Sequence, residues 1–276
     1  MKSEWNKLDN AAKIFPAAQS KKDTQVFRFS CELYKTVNKG LLQKATEDTL
    51  EEFDIFKSIL RRGLFWYYLE ESDIKPIVRE EYKIPCSLIY QRNNHKLLFE
   101  VTYYRNRINL EVFHVLTDGT GAMNFLKTLV SNYLTLAENV EDSGVDYDAS
   151  STQKSDDSFS KYYSGKISSK QENNPVAYKI VGRKYPDDKL KVINGMVDVK
   201  KVLEESHKYN ATLTAFLSAV LIKSIIDEMP VRSKGKKPIT ILIPVNLRNF
   251  FPSVSARNRS AHRINYSFSS LLPQKQ

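Results

Sequence analysis

Cysteine is nearly missing from this 276-residue chain: Cys31 and Cys86 are the only two. Two thiols cannot build a disulfide framework, and they fit a reduced compartment, so a cytoplasmic location is expected. Both stand in apolar, extended-looking text, which predicts buried thiols rather than nucleophiles. No run reaches the roughly 18 apolar residues of a membrane-spanning helix. The nearest stretch, 211–229, is broken by Thr214, Ser218, Lys223, Ser224 and Asp227. The first sixteen residues lack the apolar core of a secretory signal. Glycine is scarce, at 9, beside 15 Tyr and 14 Phe, a balance that favours regular, aromatic-rich elements over loops. Acidic charge is the minority sign. Forty-two Lys and Arg oppose 32 Asp and Glu, giving +10 and an isoelectric point near 9.3. That excess suits an anionic partner of some kind. Because the basic cluster Arg232–Lys237 falls in an expected solvated loop and no nucleic-acid motif occurs, nucleic acid is not an expected partner.

What is present reads as α/β. Val26 to Cys31 alternates, with Phe27, Phe29 and Cys31 on one face, as a half-buried strand does. From Lys39 to Phe53 the period becomes helical, through Leu42, Ala45, Thr49 and Phe53. Arg62-Gly63 between the runs Phe56–Arg61 and Leu64–Leu69 predicts a hairpin with glycine at positive φ, and Phe65–Tyr68 reads as strand packing. Further strands are predicted over 86–90, 96–104 and 108–113, forming an antiparallel meander, then a helix over 121–137. Between Glu138 and Asp157 seven acids face one lysine, which reads as a linker. The organisation expected is a lobe over 1–140, a polar linker over 141–175, a second lobe over 176–255 and an irregular basic tail over 256–276. Within the second lobe, strands are expected over 178–183 and 190–197. Asp198 is expected to cap a helix over 199–208, followed by a buried helix over 212–228 and a strand over 239–245 covered on both faces.

One constellation carries chemistry. Ile108, Leu110, Val112 and His114 share a strand face, so the imidazole ends an inward-facing apolar row. His114 is followed by Val-Leu-Thr and then by Asp118-Gly119-Thr120-Gly121, a tight turn into a helix. Such a mount suits a general base, since imidazole exchanges a proton near neutral pH. The bland alternative is a core histidine satisfied by backbone groups. Asp118, an acid beside an apolar face, needs a cation or backbone donors. The Thr120 and Gly121 amides at the helix start are two, and Arg248 at the end of an apolar strand is another. Gly119 and Gly121 are expected to admit backbone angles or close approaches that a β-carbon would block. His95, His207 and His262 read as exposed, and no group of His, Cys, Asp and Glu has metal-ligand spacing, so no metal is expected.

The His-x-x-x-Asp-Gly run, His114 to Gly119, resembles the HxxxDG acyltransferases, which include chloramphenicol acetyltransferase, plant BAHD enzymes, condensation domains and alcohol acetyltransferases. The resemblance extends over roughly residues 10–255, through the Leu213-rich helix and the Pro244–Arg248 strand, and looks closest to the alcohol acetyltransferase-like branch. It implies a two-lobed chloramphenicol acetyltransferase-like fold of mixed sheets. It also implies that His114 is the general base, and that Asp118 is structural and paired with Arg248. The donor implied is an acyl-CoA, acetyl-CoA first, acting as co-substrate with no tightly bound cofactor. The acceptor implied is a small alcohol or amine meeting the thioester between the lobes. Two features depart from the pattern. Residue 113 is Phe where condensation domains usually carry a second His, which argues against carrier-protein condensation. The later motif of the plant branch is not found, so the second lobe is expected to be incomplete and the tail after Ser255 to mark a truncation or shifted frame. A non-catalytic fragment or binding module is the alternative from another class.

Overall fold

A computed structural model describes residues 5–9, 12–91, 94–138, 176–182, 185–186, 192–234, 237–246 and 260–267, with the backbone alone over 244–246 and 260–267. The chain divides into two compact units, Met1–Gly165 with Asn246–Ala261 and Lys166–Val245 with His262–Gln276. The architecture is α/β, as expected, with both antiparallel and parallel strand pairs.

The first unit holds strands β1 (Trp5–Lys7), β2 (Val26–Glu32), β3 (Ser58–Arg62), β4 (Tyr67–Glu71), β5 (Arg79–Glu80), β6 (Phe99–Tyr104) and β7 (Arg107–Phe113). Its helices are the single turn α1 (Phe15–Ala18), preceded by a 3-10 turn over Ala12–Ile14, then α2 (Lys39–Glu52) and α3 (Gly119–Glu138). One sheet runs β1-β4-β3 and the other β2-β7-β6-β5. Register follows from alternation. Phe27 pairs with Val112, Phe29 with Leu110 and Cys31 with Ile108, while Phe99 and Val101 of β6 meet Val112 and Leu110. A one-residue slip would turn this whole apolar set to the opposite face. The set packs against the helices through stacked and edge-on rings, Phe56 on Phe125 at 4.1 Å and Phe99 on Phe125 at 5.3 Å. Helix α2 begins where the Asn38 side chain accepts from the Leu41 amide, and the Asn38 amide donates to the Tyr133 hydroxyl of α3.

The opposite face of the second sheet is polar yet covered. Glu111 is 1 % exposed. Its Oε1 accepts from Arg28 Nε at 2.8 Å and from the Cys86 amide at 2.6 Å. Arg28 also reaches Glu81 at 2.6 Å, and Glu81 accepts from Arg107 at 2.9 Å. Two arginines and two carboxylates neutralise each other, which is what lets charge lie under the 81–90 segment.

Several expectations fail for identifiable reasons. Residues 86–90 form no strand: Cys86 has φ 57°, and its amide is taken by Glu111 instead of a ladder partner. β5 occupies the sheet edge, parallel to β6. Gly63 closes the predicted β3–β4 hairpin, but not through positive φ. An added Cβ would lie 3.2 Å from the Trp66 carbonyl oxygen, so close approach is what favours glycine there.

The second unit contains α4 (Val199–Lys208), α5 (Leu213–Glu228), a 3-10 turn over Val231–Ser233, and all of the paired strands β8 (Thr240–Asn246) and β9 (Ser260–Ser267) except Asn246, Ser260 and Ala261. Asp198 accepts from the Lys201 amide at 3.1 Å, the predicted cap of α4, and Thr212 caps α5 through the Ala215 amide. Residues 178–182 and 192–197 are not strands, and Arg183, Leu190 and Lys191 lie outside the described residues. β9 supplies a strand in text expected to be irregular. Helix α5 was expected to be buried, yet Ile222 is its only buried residue, with Leu217 49 % and Leu221 51 % exposed. Leu242 of β8 is 55 % exposed, so that strand is not covered on both faces. Among the described residues the buried apolar cluster here consists of Ile222, Met229 and Ile239. Among the described residues no single helix is long and apolar enough to cross a membrane.

Candidate functional site

The site grows from the end of β7. The Phe113 amide donates to the Leu98 carbonyl at 2.8 Å, keeping the last strand residue in the sheet. One residue on, the His114 amide donates to the Gln25 carbonyl at 2.9 Å. Gln25 has φ 55°, a conformation that side chains rarely adopt and that needs support. Asp23 Oδ1 accepts the Gln25 amide, Ser20 Oγ accepts the Asp23 amide, and the Thr24 hydroxyl donates to the Cys86 carbonyl at 2.7 Å. The turn before β2 is thus built to hold the backbone that carries the histidine.

The His114 ring is half-buried between two aromatics. Phe15 stacks on it with centroids 4.3 Å apart and planes 12° from parallel, and Phe27 lies 4.9 Å away at 58°. Phe27 pairs in register with Val112, so the imidazole does end the apolar row of β7. Neither phenylalanine was foreseen as part of the site. Phe27 was legible as a strand residue of the same sheet. Phe15 sits in a short segment without periodicity, and nothing in the sequence ties it to residue 114.

Asp118 is 4 % exposed and caps α3. Its Oδ1 accepts from the Thr120 amide at 3.1 Å and the Gly121 amide at 3.0 Å, and its carbonyl accepts from Ala122. These are the backbone donors that the sequence offered. A carboxylate placed there also meets the positive end of the helix dipole. Val115, Leu116 and Thr117 between the two motif residues are buried, which fixes the turn. Gly119 is not needed for the backbone angle or close approach expected of it: its φ is not in the left-handed range, and among the described residues an added Cβ would meet only Phe29 Cζ, at an ordinary 3.8 Å. Arg248 lies outside the described residues, so the structure does not test its pairing with Asp118.

The remaining titratable groups are placed elsewhere. His95 is exposed and lies against the Arg61 guanidinium, and His207 is exposed near the end of α4; the side chain of His262 is outside the described residues. Burial, and then the neighbouring Glu32, push the Cys31 thiol up. Burial and then Glu111 push up Cys86, against the pull of Arg28. Raised thiols are poor nucleophiles at neutral pH. No group of three or more His, Cys, Asp or Glu suited to a metal occurs among the described residues.

The alcohol acetyltransferase family model matches residues 149–272, a segment that begins after the His114–Asp118 turn. No curated protein matches the chain. Among solved structures, polyketide synthase associated protein 5 from Mycobacterium tuberculosis is similar at a TM-score of 0.67 and 15 % identity, covering 98 % of this chain and 69 % of that one. The first condensation domain of the CDA synthetase is similar at 0.63 and 11 %, covering 96 % of this chain and 71 % of that domain. The first condensation domain of the calcium-dependent antibiotic synthetase, in complex with a substrate analogue, gives 0.62 and 12 % over 96 % and 69 %. At these identities the likeness establishes the fold, and the family match points to acyl transfer.

Proposed function

We propose that this chain transfers an acyl group, acetyl in the first instance, from a coenzyme A thioester to a small alcohol or amine, with His114 as general base. The observation that carries this reading is the division of labour in the turn. Asp118 is engaged in capping α3, while the imidazole four residues earlier is clamped by Phe15 and Phe27 yet only half-buried. The motif in the first unit and the family match over 149–272 come from different parts of the chain and agree in chemistry.

The reaction balances without a covalent enzyme intermediate. The unprotonated imidazole nitrogen takes the proton of the acceptor O–H or N–H as that atom bonds to the thioester carbonyl carbon. The tetrahedral intermediate collapses, the C–S bond breaks, and the imidazolium returns the proton to the departing thiolate. The stacked Phe15 ring and the tilted Phe27 ring hold the imidazole plane, which lowers the orientational cost of both transfers. Asp118 acts as a positioning residue, with Arg248 as its ion-pair partner. The positive net charge suits the phosphates of coenzyme A, and two free cysteines suit a cytoplasmic setting. Carrier-protein condensation is the weaker reading. Phe113 occupies the position of the second His, is fully buried, and stacks on Tyr90 with centroids 5.6 Å apart, so it offers no proton-transfer group.

Thiol release from acetyl-CoA, followed across a panel of alcohols and amines, tests the reading. Turnover is expected, and His114→Ala is expected to reduce it by about a hundredfold or more. Unchanged turnover in that variant would remove His114 from the role. No thiol release with any acceptor would favour a binding module.

A further inference from the structure

The β3–β4 hairpin ends in an unusual loop. Surface turns are normally built from Gly, Asn, Asp, Ser and Pro. After Gly63 this one places Leu64, Phe65 and Trp66 in succession, 81 %, 85 % and 58 % exposed. At its foot a cavity of about 410 Å³ is lined by Arg61, Arg62, Asn94 and His95, with Leu60 and Tyr90 also at its wall. Arg61 is paired with Glu70, whereas the exposed Arg62 lies over the Tyr67 ring at 5.9 Å from its centroid. Lys96, also exposed, follows His95 in the chain.

An apolar tip above a cationic cavity has two kinds of fit. A protein pocket takes one or two anchors arriving from one direction. Three consecutive exposed apolar side chains exceed that, and a bilayer interface accepts all of them together. Tryptophan favours that depth, where its ring is solvated by both acyl chains and headgroups. Guanidinium groups just behind such a tip meet phosphate oxygens, for which their planar fork is matched. The net charge of +10 supplies long-range attraction to the same surface.

We infer that the Leu64–Phe65–Trp66 tip inserts into an anionic phospholipid surface, with Arg62 and the His95 side of the cavity on a lipid phosphate. The full chain carrying Trp5→Phe leaves Trp66 as the single indole, since the sequence has two tryptophans. Mixed with vesicles containing phosphatidylserine, it is expected to co-sediment and its emission to shift to the blue. Leu64→Ser, Phe65→Ser and Trp66→Ser together, in the otherwise natural chain, are expected to weaken co-sedimentation by about a hundredfold, with circular dichroism unchanged because these side chains are exposed. Arg62→Gln is expected to weaken it about fivefold. Retention in the supernatant, equal binding to phosphatidylcholine alone, or full binding by the triple variant overturns the inference. Release from the vesicles by inorganic phosphate at constant ionic strength assigns the cavity to a free anion and overturns it as well.

Discussion

Asp118 caps α3 beside the proposed base, a position from which it would support the site without taking part in its chemistry. Its Oδ1 holds two amides of the first turn of α3 while nearly excluded from solvent. Removing such a cap costs about 1–2 kcal/mol, and a buried setting favours the upper part of that range. Asp118→Ala should therefore lower the urea midpoint clearly, with Asp118→Asn, which keeps an accepting oxygen, falling between it and the parent. If Arg248 is the proposed partner, Arg248→Met should cost stability in the parent and much less in the Asp118→Asn background, read from a double-mutant cycle. Glu81 gives the acid dependence its sign. Burial raises its carboxyl, but hydrogen bonds and charge from Arg28 and Arg107 outweigh burial and hold it below the ordinary 4.5. Stabilisation from Glu81 is thus fully present above that value and is lost as pH falls through the lower folded value. Glu81→Gln should flatten the loss of stability between neutral and strongly acidic pH, measured by unfolding at each pH. The cap was legible in the sequence because Asp-Gly-Thr-Gly places an acceptor three residues before a free amide. The Phe15 stack was not, because a single sequence reports periodicity within elements and not contacts between distant ones.

Elements were read well where burial has one side. β2, β7, α2, α3 and α4 fell where alternation, helical spacing or the cap put them; the β3–β4 hairpin exists, but its second strand begins at Tyr67, and Leu64–Trp66, expected within it, form an exposed loop. The polar side chains of β2 and β7 were harder to interpret, because alternation assigns Arg28 and Glu111 to solvent. Their mutual pairing keeps them covered, and a carboxylate on one strand opposite an arginine on its neighbour is the signal that was available. Residues 86–90 misled for the same reason: the Glu111 carboxylate captures the Cys86 amide that a strand would have placed in a ladder. Gly119 separates fold from function at the start of α3. Among the described residues an added methyl meets only Phe29 Cζ at 3.8 Å, and alanine is the better helix former by up to about 1 kcal/mol. Gly119→Ala should match or exceed the parent in thermal stability. If thiol release nevertheless falls, the glycine serves substrate approach.

At the level of the whole chain the two units differ in how much they bury. The first has a continuous core running from Leu8 to Tyr133 through both sheets and α2 and α3. Among the described residues the second buries Ile222, Met229 and Ile239 and leaves much of α5 in the open. Local stability follows buried apolar contacts. Hydrogen exchange should therefore show β6 and β7 among the slowest amides and α5 exchanging faster by orders of magnitude. Equal protection would mean that α5 is covered in solution. The sequence overestimated the burial of α5 because an all-round apolar helix implies a cover, and the text does not say whether the described chain supplies one. The Phe15 stack also bears on how this protein should be handled in the laboratory. Trimming the chain to begin at β2 would leave both the four-stranded sheet and the motif uncut, yet it would remove β1, the buried Leu8, Ala12 and Phe15, and the Gln25 carbonyl that holds the His114 amide. It would also strip the ring that covers one face of the imidazole, so a silent preparation of that kind should be blamed first on the missing N-terminal segment rather than on the histidine.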